Sequence, residues 1–222
     1  IKKGIGFVEV TQSGWLDVKS FLTASRDYFL GSNRFVQSGF DDKAVDLTEK
    51  SVVYDNQAYQ SIVLCRGYKE LTDSRFFPHI PFNPAKGQTL TLSVPELQLD
   101  SPLHAGVFIL PLGNHLFRVG STYSWADFNE TPENDKRDEL LEKFREVCSL
   151  DLELVEEKAG VRPATKDRRP IVGYSSIDER VMIFNGMGSR AVMMAPHLAD
   201  ELHQHMTGQS KLSSEIDVSR YA

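Results

Sequence analysis

The residues best suited to chemistry lie between positions 159 and 196. Arg162 ends an apolar, strand-like run and is followed by Pro163. A guanidinium held there could grip a carboxylate through a bidentate fork. A surface ion pair with Glu156 or Glu157 is the plainer alternative. Further on, Phe184-Asn185-Gly186-Met187-Gly188-Ser189-Arg190-Ala191 runs into Val192-Met193. This reads as a strand entering a small-residue turn and then a helix. Such a turn aims backbone N–H groups and the positive end of the helix dipole at one point, where an electron-rich group belongs. A purely structural tight turn gives the same pattern.

Six histidines are present, and His197, Glu201, His203 and His205 fall on one predicted helix. His197 and Glu201 are four residues apart, a spacing that suits a metal pair. A solvated helix face is the simpler reading. No HExxH, CxxC, GxSxG or GxxxxGK[ST] pattern occurs. With no nucleophile or acid–base pair in view, no side chain is assigned a catalytic role. Any chemistry then belongs to a bound cofactor, and the protein supplies position and electrostatics.

The elements that must position these residues follow from periodicity. The first helix spans 17–30, with Val18, Phe21, Leu22, Ser25, Tyr28 and Phe29 on one face and Gly31 at its stop. The second starts at Thr131-Pro132 and carries Leu140, Leu141, Phe144, Val147 and Cys148 as its stripe. The third covers 191–206, with Ala195, Ala199, Leu202 and Met206 on one face. Pro196 inside it predicts a kink or a late start. Residues 51–54 and 59–65 read as a hairpin about Asp55-Asn56, and 107–110 and 116–120 as another about Gly113-Asn114. Further strands are read at 88–94, 152–161, 171–174 and 181–185. The fold class is α+β or mixed α/β, with a largely antiparallel sheet flanked by helices.

Composition narrows the classes of function. In 222 residues, 41% are hydrophobic and 25% charged, which rules out wholesale disorder. A net charge of −6 argues against a general nucleic-acid or anionic-membrane binder. Cys65 and Cys148 both lie in apolar stretches, which suits reduced, buried thiols in a cytoplasmic protein. The longest charge-free run, 101–117, is broken by Pro102, Pro111 and Gly113-Asn114, so no membrane span is expected. The chain opens with Ile1-Lys2-Lys3 in a strand-like pattern, which reads as part of a longer protein.

Longer motifs add to this. They are Gly160-Val161-Arg162-Pro163-x-Thr165-x-Asp167-x-x-Pro170-x-x-Gly173, then Gly186-x-Gly188, then Ala195-Pro196. Val119-Gly120-Ser121-Thr122, Glu130-Thr131-Pro132, Lys86-Gly87-Gln88, the run from Ile62 to Arg66-Gly67, Ser13-Gly14-Trp15-Leu16-Asp17 and Ile216-Asp217-x-x-Arg220-Tyr221 accompany them. Together they resemble the FAD-dependent D-amino acid oxidase and glycine oxidase superfamily, most of all its glycine oxidase branch. The resemblance is specific in the last third of the chain and looser elsewhere.

The resemblance implies an FAD-dependent oxidoreductase acting on the C–N bond of a small amino acid or secondary amine by hydride transfer to flavin. Arg162 resembles the arginine that binds the substrate carboxylate, and Tyr123 matches a substrate-side position. Gly186, Met187, Gly188, Ser189, Arg190, Ala191, Val192 and Met193 resemble the segment facing the flavin ring. Gly67 resembles a glycine that lets the chain pass close to the cofactor, and Phe40 a main-chain adenine contact. Several positions depart from the pattern. Phe108 stands where glycine oxidases have an aromatic hydroxyl, Ser189 where they have an arginine near the substrate, with Arg190 beside it as a substitute. Ala191 stands for a usual Gly, and Arg66 for a small Thr or Ser. These departures put glycine itself in doubt as substrate. Gly160 occupies the position at which the sarcosine oxidase branch has its flavin-linking cysteine, so FAD is expected to be non-covalent.

The family's GxGxxG is absent from the sequence. The chain is therefore expected to be the C-terminal portion, poor at holding FAD alone and inactive by itself. The expected organisation is an opening strand and helix at 1–32, part of the FAD-binding domain at 33–75, the substrate-binding domain at 76–160 and a return to the FAD-binding domain at 161–222. The expected partner is a small-molecule amine or amino acid, without nucleic acid, and an exposed apolar surface suggests a homodimer. Two alternatives are a flavin domain acting on a modified tRNA base that carries an aminomethyl-linked carboxylate, and a flavin-less interaction domain.

Overall fold

The structure is a computed structural model, and it describes residues 6–71 and 74–221. In chain order the helices and strands are α1 (Val18–Gly31), β1 (Asp46–Leu47), β2 (Val52–Tyr54), β3 (Gln57–Tyr59), β4 (Ile62–Leu64), β5 (Ala85–Ser93), β6 (Leu103–Ala105), β7 (Val107–Gly113), β8 (Leu116–Gly120), α2 (Asn134–Val147), β9 (Glu153–Arg162), β10 (Ile171–Tyr174), β11 (Val181–Asn185) and α3 (Ala191–Met206). Two compact units result, one built on Pro84–Arg162 and the other on Glu9–Asn83 with the chain from Pro163 onward. The strand-like opening at Ile1 lies outside the described residues.

The first unit is a five-stranded antiparallel sheet in the order β6-β7-β8-β5-β9. Side chains alternate between faces along each strand. Leu90, Leu92, Val107, Ile109, Phe117 and Val119 therefore share one face, and α2 covers it with Leu140, Phe144 and Val147. Each such buried side chain contributes about 1.5–3 kcal/mol, so this layer is what holds the unit together. The opposite face carries Ala85, Gly87 and Thr89 of β5, Phe108 of β7, Gly120 of β8 and Arg162 of β9.

Helix α2 begins at Asn134 with Glu133 as its N-cap, two residues later than a Thr131 cap and Pro132 start imply. The reason is long-range. The Glu133 N–H donates to Gln88 Oε1 at 2.8 Å, and Gln88 Nε2 donates to the Glu133 carbonyl at 3.2 Å. A glutamine of β5 thus supplies the polar partners that a local cap would otherwise give. The β7–β8 turn also sits one residue on from the predicted place. Asn114 and His115 take φ values of 52° and 59°, as a two-residue hairpin turn needs.

In the second unit, β1, β2 and β3 form one small sheet, and β10, β11 and β4 form another. Asp55 and Asn56 both have positive φ and join β2 to β3. The predicted hairpin arm at 59–65 is in fact split. Residues up to Tyr59 pair with β2, whereas Ile62–Leu64 lies parallel to β11, with Ile62 opposite Val181. One face of that second sheet packs Leu64, Ile171, Val181 and Ile183 against Val45, Val52, Phe76 and Phe77. The other packs Val172 and Met182 against Leu198 and Leu202 of α3.

The buried face of α3 is Leu198 and Leu202 with Met194 and Ala195 beside them, one step round from the predicted stripe; Ala199 is exposed. Pro196 does not delay the helix, which starts at Ala191 after a 3₁₀ turn at Gly188–Arg190. In α1, the Asp17 carboxylate caps the N–H groups of Lys19 and Ser20. The left-handed residue after α1 is Asn33, not Gly31, which is still helical. Val18, Phe21, Leu22, Tyr28 and Phe29 are all exposed. Cys148 is buried, but Cys65, just past the end of β4, is exposed, against expectation. Among the described residues no helix is long and apolar enough to cross a membrane. The architecture is mixed α/β with antiparallel sheets and flanking helices, as the sequence predicts.

Candidate functional site

Arg162 ends β9 opposite Ala85, on the sheet face that α2 does not cover. Its guanidinium lies flat over Gly87. A Cβ built on Gly87 would come closer to the Arg162 Nη2, Cζ and Nη1 atoms than the 3.0 Å that real Cβ atoms keep. Gly160, opposite Gly87, leaves the neighbouring position open as well. Nη2 donates to Ser121 Oγ at 2.7 Å, and both terminal nitrogens reach the Thr122 carbonyl at 3.4 Å. The Tyr123 ring stacks on the guanidinium, with Cζ 4.3 Å from its centroid. Burial lowers the Arg162 pKa from the usual arginine range, with Tyr123 opposing the shift. An arginine nevertheless stays charged at any physiological pH.

No carboxylate among the described residues pairs with Arg162. Glu156 pairs instead with Lys158 at 2.8 Å and Glu157 with Arg137 at 3.6 Å. The surface ion pair considered for Arg162 does not form. A half-buried cation braced by a hydroxyl, a carbonyl and an aromatic face is set up to take an external carboxylate. Phe108 shares this sheet face, and its ring packs where a side chain on Gly120 would sit.

The Lys86-Gly87-Gln88 triplet organises this region, a role its sequence did not reveal. Gly87 seats the arginine, and Gln88 holds the start of α2. Lys86 is buried, and its Nζ donates to Asp127 Oδ1 (3.1 Å), Asn129 Oδ1 (2.9 Å) and Glu133 Oε1. Burial lowers the lysine pKa, but hydrogen bonds to Glu133 and Asp127 outweigh it, and the net shift is upward. The Lys86 N–H and carbonyl both bond Ser124, each at 2.9 Å, which fixes the segment carrying Tyr123.

The other sequence-derived residues lie in the second unit. β11 ends at Asn185, whose buried amide donates from Nδ2 to the Gly67 carbonyl and accepts the Gly186 N–H at Oδ1, both at 2.8 Å. Asn185, which sequence reasoning passed over, therefore ties the turn at Gly186 to Gly67. Gly186 has φ +78°, and a Cβ on it would strike the Ile171 side chain and backbone, so glycine is required there. Gly188 has φ +56°, and its N–H reaches the Pro163 carbonyl at 3.3 Å. Met187 is buried, while Ser189, Arg190, Ala191, Val192 and Met193 are exposed. Arg190 is committed to the Arg168 carbonyl at 2.7 Å.

Phe40 packs on Tyr54, with centroids 4.9 Å apart, and the Arg66 guanidinium lies 5.7 Å from its ring. Arg66 also pairs with Asp42 at 3.2 Å and lies 3.7 Å from Glu70. The unusual arginine before Gly67 is thus paired with the buried Asp42, with the buried Glu70 nearby. On α3, His197 Nε2 and Glu201 Oε1 pair with each other at 2.8 Å. Among the described residues no group of three or more His, Cys, Asp or Glu could hold a metal.

Comparison with known proteins agrees with the fold. The FAD dependent oxidoreductase (DAO) family profile matches residues 6–204. Glycine oxidase of Bacillus subtilis strain 168 is 27% identical over 118 residues, 52% of this chain and 32% of that protein. The tRNA 5-methylaminomethyl-2-thiouridine biosynthesis bifunctional protein MnmC of Idiomarina loihiensis is 27% identical over 153 residues, 64% of this chain and 25% of that protein. The structure of glycine oxidase from Bacillus cereus ATCC 14579 superposes with a TM-score of 0.65 at 16% identity, covering 77% of this chain and 50% of that one. The chain thus spans a quarter to a half of the length of these relatives. With the family profile extending over nearly its whole length, the chain belongs to the FAD dependent oxidoreductase family.

Proposed function

We propose that this chain forms the substrate-binding part and some of the cofactor-binding part of an enzyme that oxidises the C–N bond of a small amino acid or secondary amine. The observation that carries this reading is Arg162: charged, half-buried, braced on Gly87 by Ser121 and Tyr123, and without a carboxylate partner among the described residues. It would hold the substrate carboxylate and so fix the amine-bearing carbon. Phe108 and Tyr123 would shape the apolar side of the site.

The residues assigned to FAD fit such a group. Gly67 has φ +58° and open space where a Cβ would sit, so a cofactor can approach its backbone. Val192 and Met193, 51% and 73% exposed, present apolar surface at the start of α3. Phe40, Gly67 and 186–193 would hold the group, non-covalently. When bound, FAD supplies a hydride acceptor. In the first unit, Arg162 would neutralise the carboxylate and so orient the amine.

A second reading, action on a modified tRNA base, is favoured by one observation, the likeness to MnmC across 64% of this chain. The net charge of −6 weighs against it. The test is the visible spectrum of the full-length protein during anaerobic addition of glycine, sarcosine and D-alanine. A yellow protein that bleaches with one of them supports the amino-acid reading. A yellow protein that bleaches with none sends the reading to larger amines, and a colourless protein that takes up no FAD refutes it.

A further inference from the structure

Tyr123 braces Arg162, and its neighbour Trp125 has no role in the account so far. Tyr123 and Trp125 stack on each other, with centroids 6.2 Å apart and planes 24° from parallel. They are nevertheless 54% and 59% exposed. Exposed aromatic surface of this size, next to an unpaired cation, marks a binding surface more often than an accident of packing.

The pair is also rigidly mounted. Ser124, between them, is bonded through both backbone groups to Lys86. The Ser124 hydroxyl accepts from the Ala126 N–H at 3.4 Å. Lys86 in turn anchors Asp127 and Asn129 just beyond Trp125. Tyr123 itself is stacked on Arg162. The rings are therefore ordered before any ligand arrives, and a ligand that stacks on them pays little to fix them.

We infer that the substrate carries a planar ring in addition to its carboxylate and amine, and that Trp125, backed by Tyr123, is the platform on which the ring stacks. This rests on the proposed carboxylate-binding role of Arg162 and goes beyond it, because glycine, sarcosine and D-alanine have no such ring. The same chemistry is offered by a free aromatic amine and by a nucleobase. Both have a flat π-face, and stacking on an aromatic side chain tolerates either.

The experiment measures dissociation constants of the full-length protein by calorimetry for sarcosine, N-benzylglycine and the pyrimidinylmethyl counterpart of the latter. The expected result is that at least one ring-bearing ligand binds about 10-fold more tightly than sarcosine, the gain that stacking on one aromatic side chain provides. In Trp125→Ala this ratio falls toward 1, and in Trp125→Phe most of it is kept. A phenyl preference identifies a free aromatic amine, and a pyrimidine preference a nucleobase. Ring-bearing ligands that bind no more tightly than sarcosine, or a ratio that survives Trp125→Ala, overturn the inference and leave the Arg162 reading standing. Sarcosine binding that is indifferent to Arg162→Ala overturns both.

Discussion

Gly87→Ala separates the seating of Arg162 from the stability of the sheet. The added methyl would fall inside the space of the guanidinium, well below the 3.0 Å limit of real Cβ contacts. What it meets is the far end of a flexible side chain, so the arginine moves and the backbone stays. The guanidinium must shift by on the order of 1 Å, a displacement that can cost about 100-fold at a reacting site. It loses its 2.7 Å bond to Ser121 and its seat against Tyr123. A charge-assisted hydrogen-bonded pair contributes about 1.5–3 kcal/mol, so carboxylate affinity should fall about 10- to 150-fold. Alanine is better than glycine inside a strand by roughly 0.5–1 kcal/mol, which offsets much of the lost bonding. The urea midpoint should therefore change little while sarcosine affinity collapses. Substrate affinity equal to the parent's would refute this account of how Arg162 is held. A large loss of stability would show that Gly87 serves the sheet rather than the arginine.

Three further outcomes follow from charge and burial. Lys86→Met removes the buried ammonium that Asp127 and Glu133 share; because those carboxylates are 46% and 34% exposed and rehydrate, it should cost about 1–2 kcal/mol in urea denaturation; a loss under about 0.5 kcal/mol contradicts the anchoring role. Burial raises the Glu70 pKa, with Asp42 adding to the rise while Ser74 and Arg66 oppose it. A raised folded pKa confers stability below the unfolded value near 4.5 that is lost as pH rises through the folded one. Glu70→Gln should remove that decline above pH 4.5, and an unchanged slope argues against it. Arg180 holds the Asp178 carboxyl down to about 2 through charge-assisted bonds, partly offset by burial. Its contribution is present above pH 3.8 and lost as pH falls toward 2. Asp178→Asn should cost about 1 kcal/mol at pH 7, after allowance for solvent screening, and progressively less as pH falls through 2.

What could be read from sequence was what local pattern determines. β10 and β11 were bounded correctly because each is a short apolar run ended by turn residues. Arg162 stood out because its strand end and following proline are local features. The rest depended on partners far along the chain. β4 reads as a hairpin arm in sequence because its parallel pairing with β11, more than a hundred residues away, leaves no local signal. The start of α2 differs from its local signal because its polar partner is Gln88, not a neighbouring threonine. Lys86-Gly87-Gln88 is visible as a motif but mute as to purpose, since each residue acts on partners more than 30 positions distant. Asn185 was passed over for the same reason, its partner Gly67 lying in another strand–turn segment.

The most direct test of the central claim is the anaerobic reduction of the flavin in the full-length protein and in Arg162→Ala, measured by rapid mixing across a range of concentrations of the amine that bleaches the parent. The account predicts equal flavin content in the two proteins and a half-saturating concentration raised at least 10-fold in the variant, since a lost charge-assisted pair contributes about 1.5–3 kcal/mol. Reduction of the variant with the parent's concentration dependence would contradict the claim that Arg162 holds the substrate carboxylate.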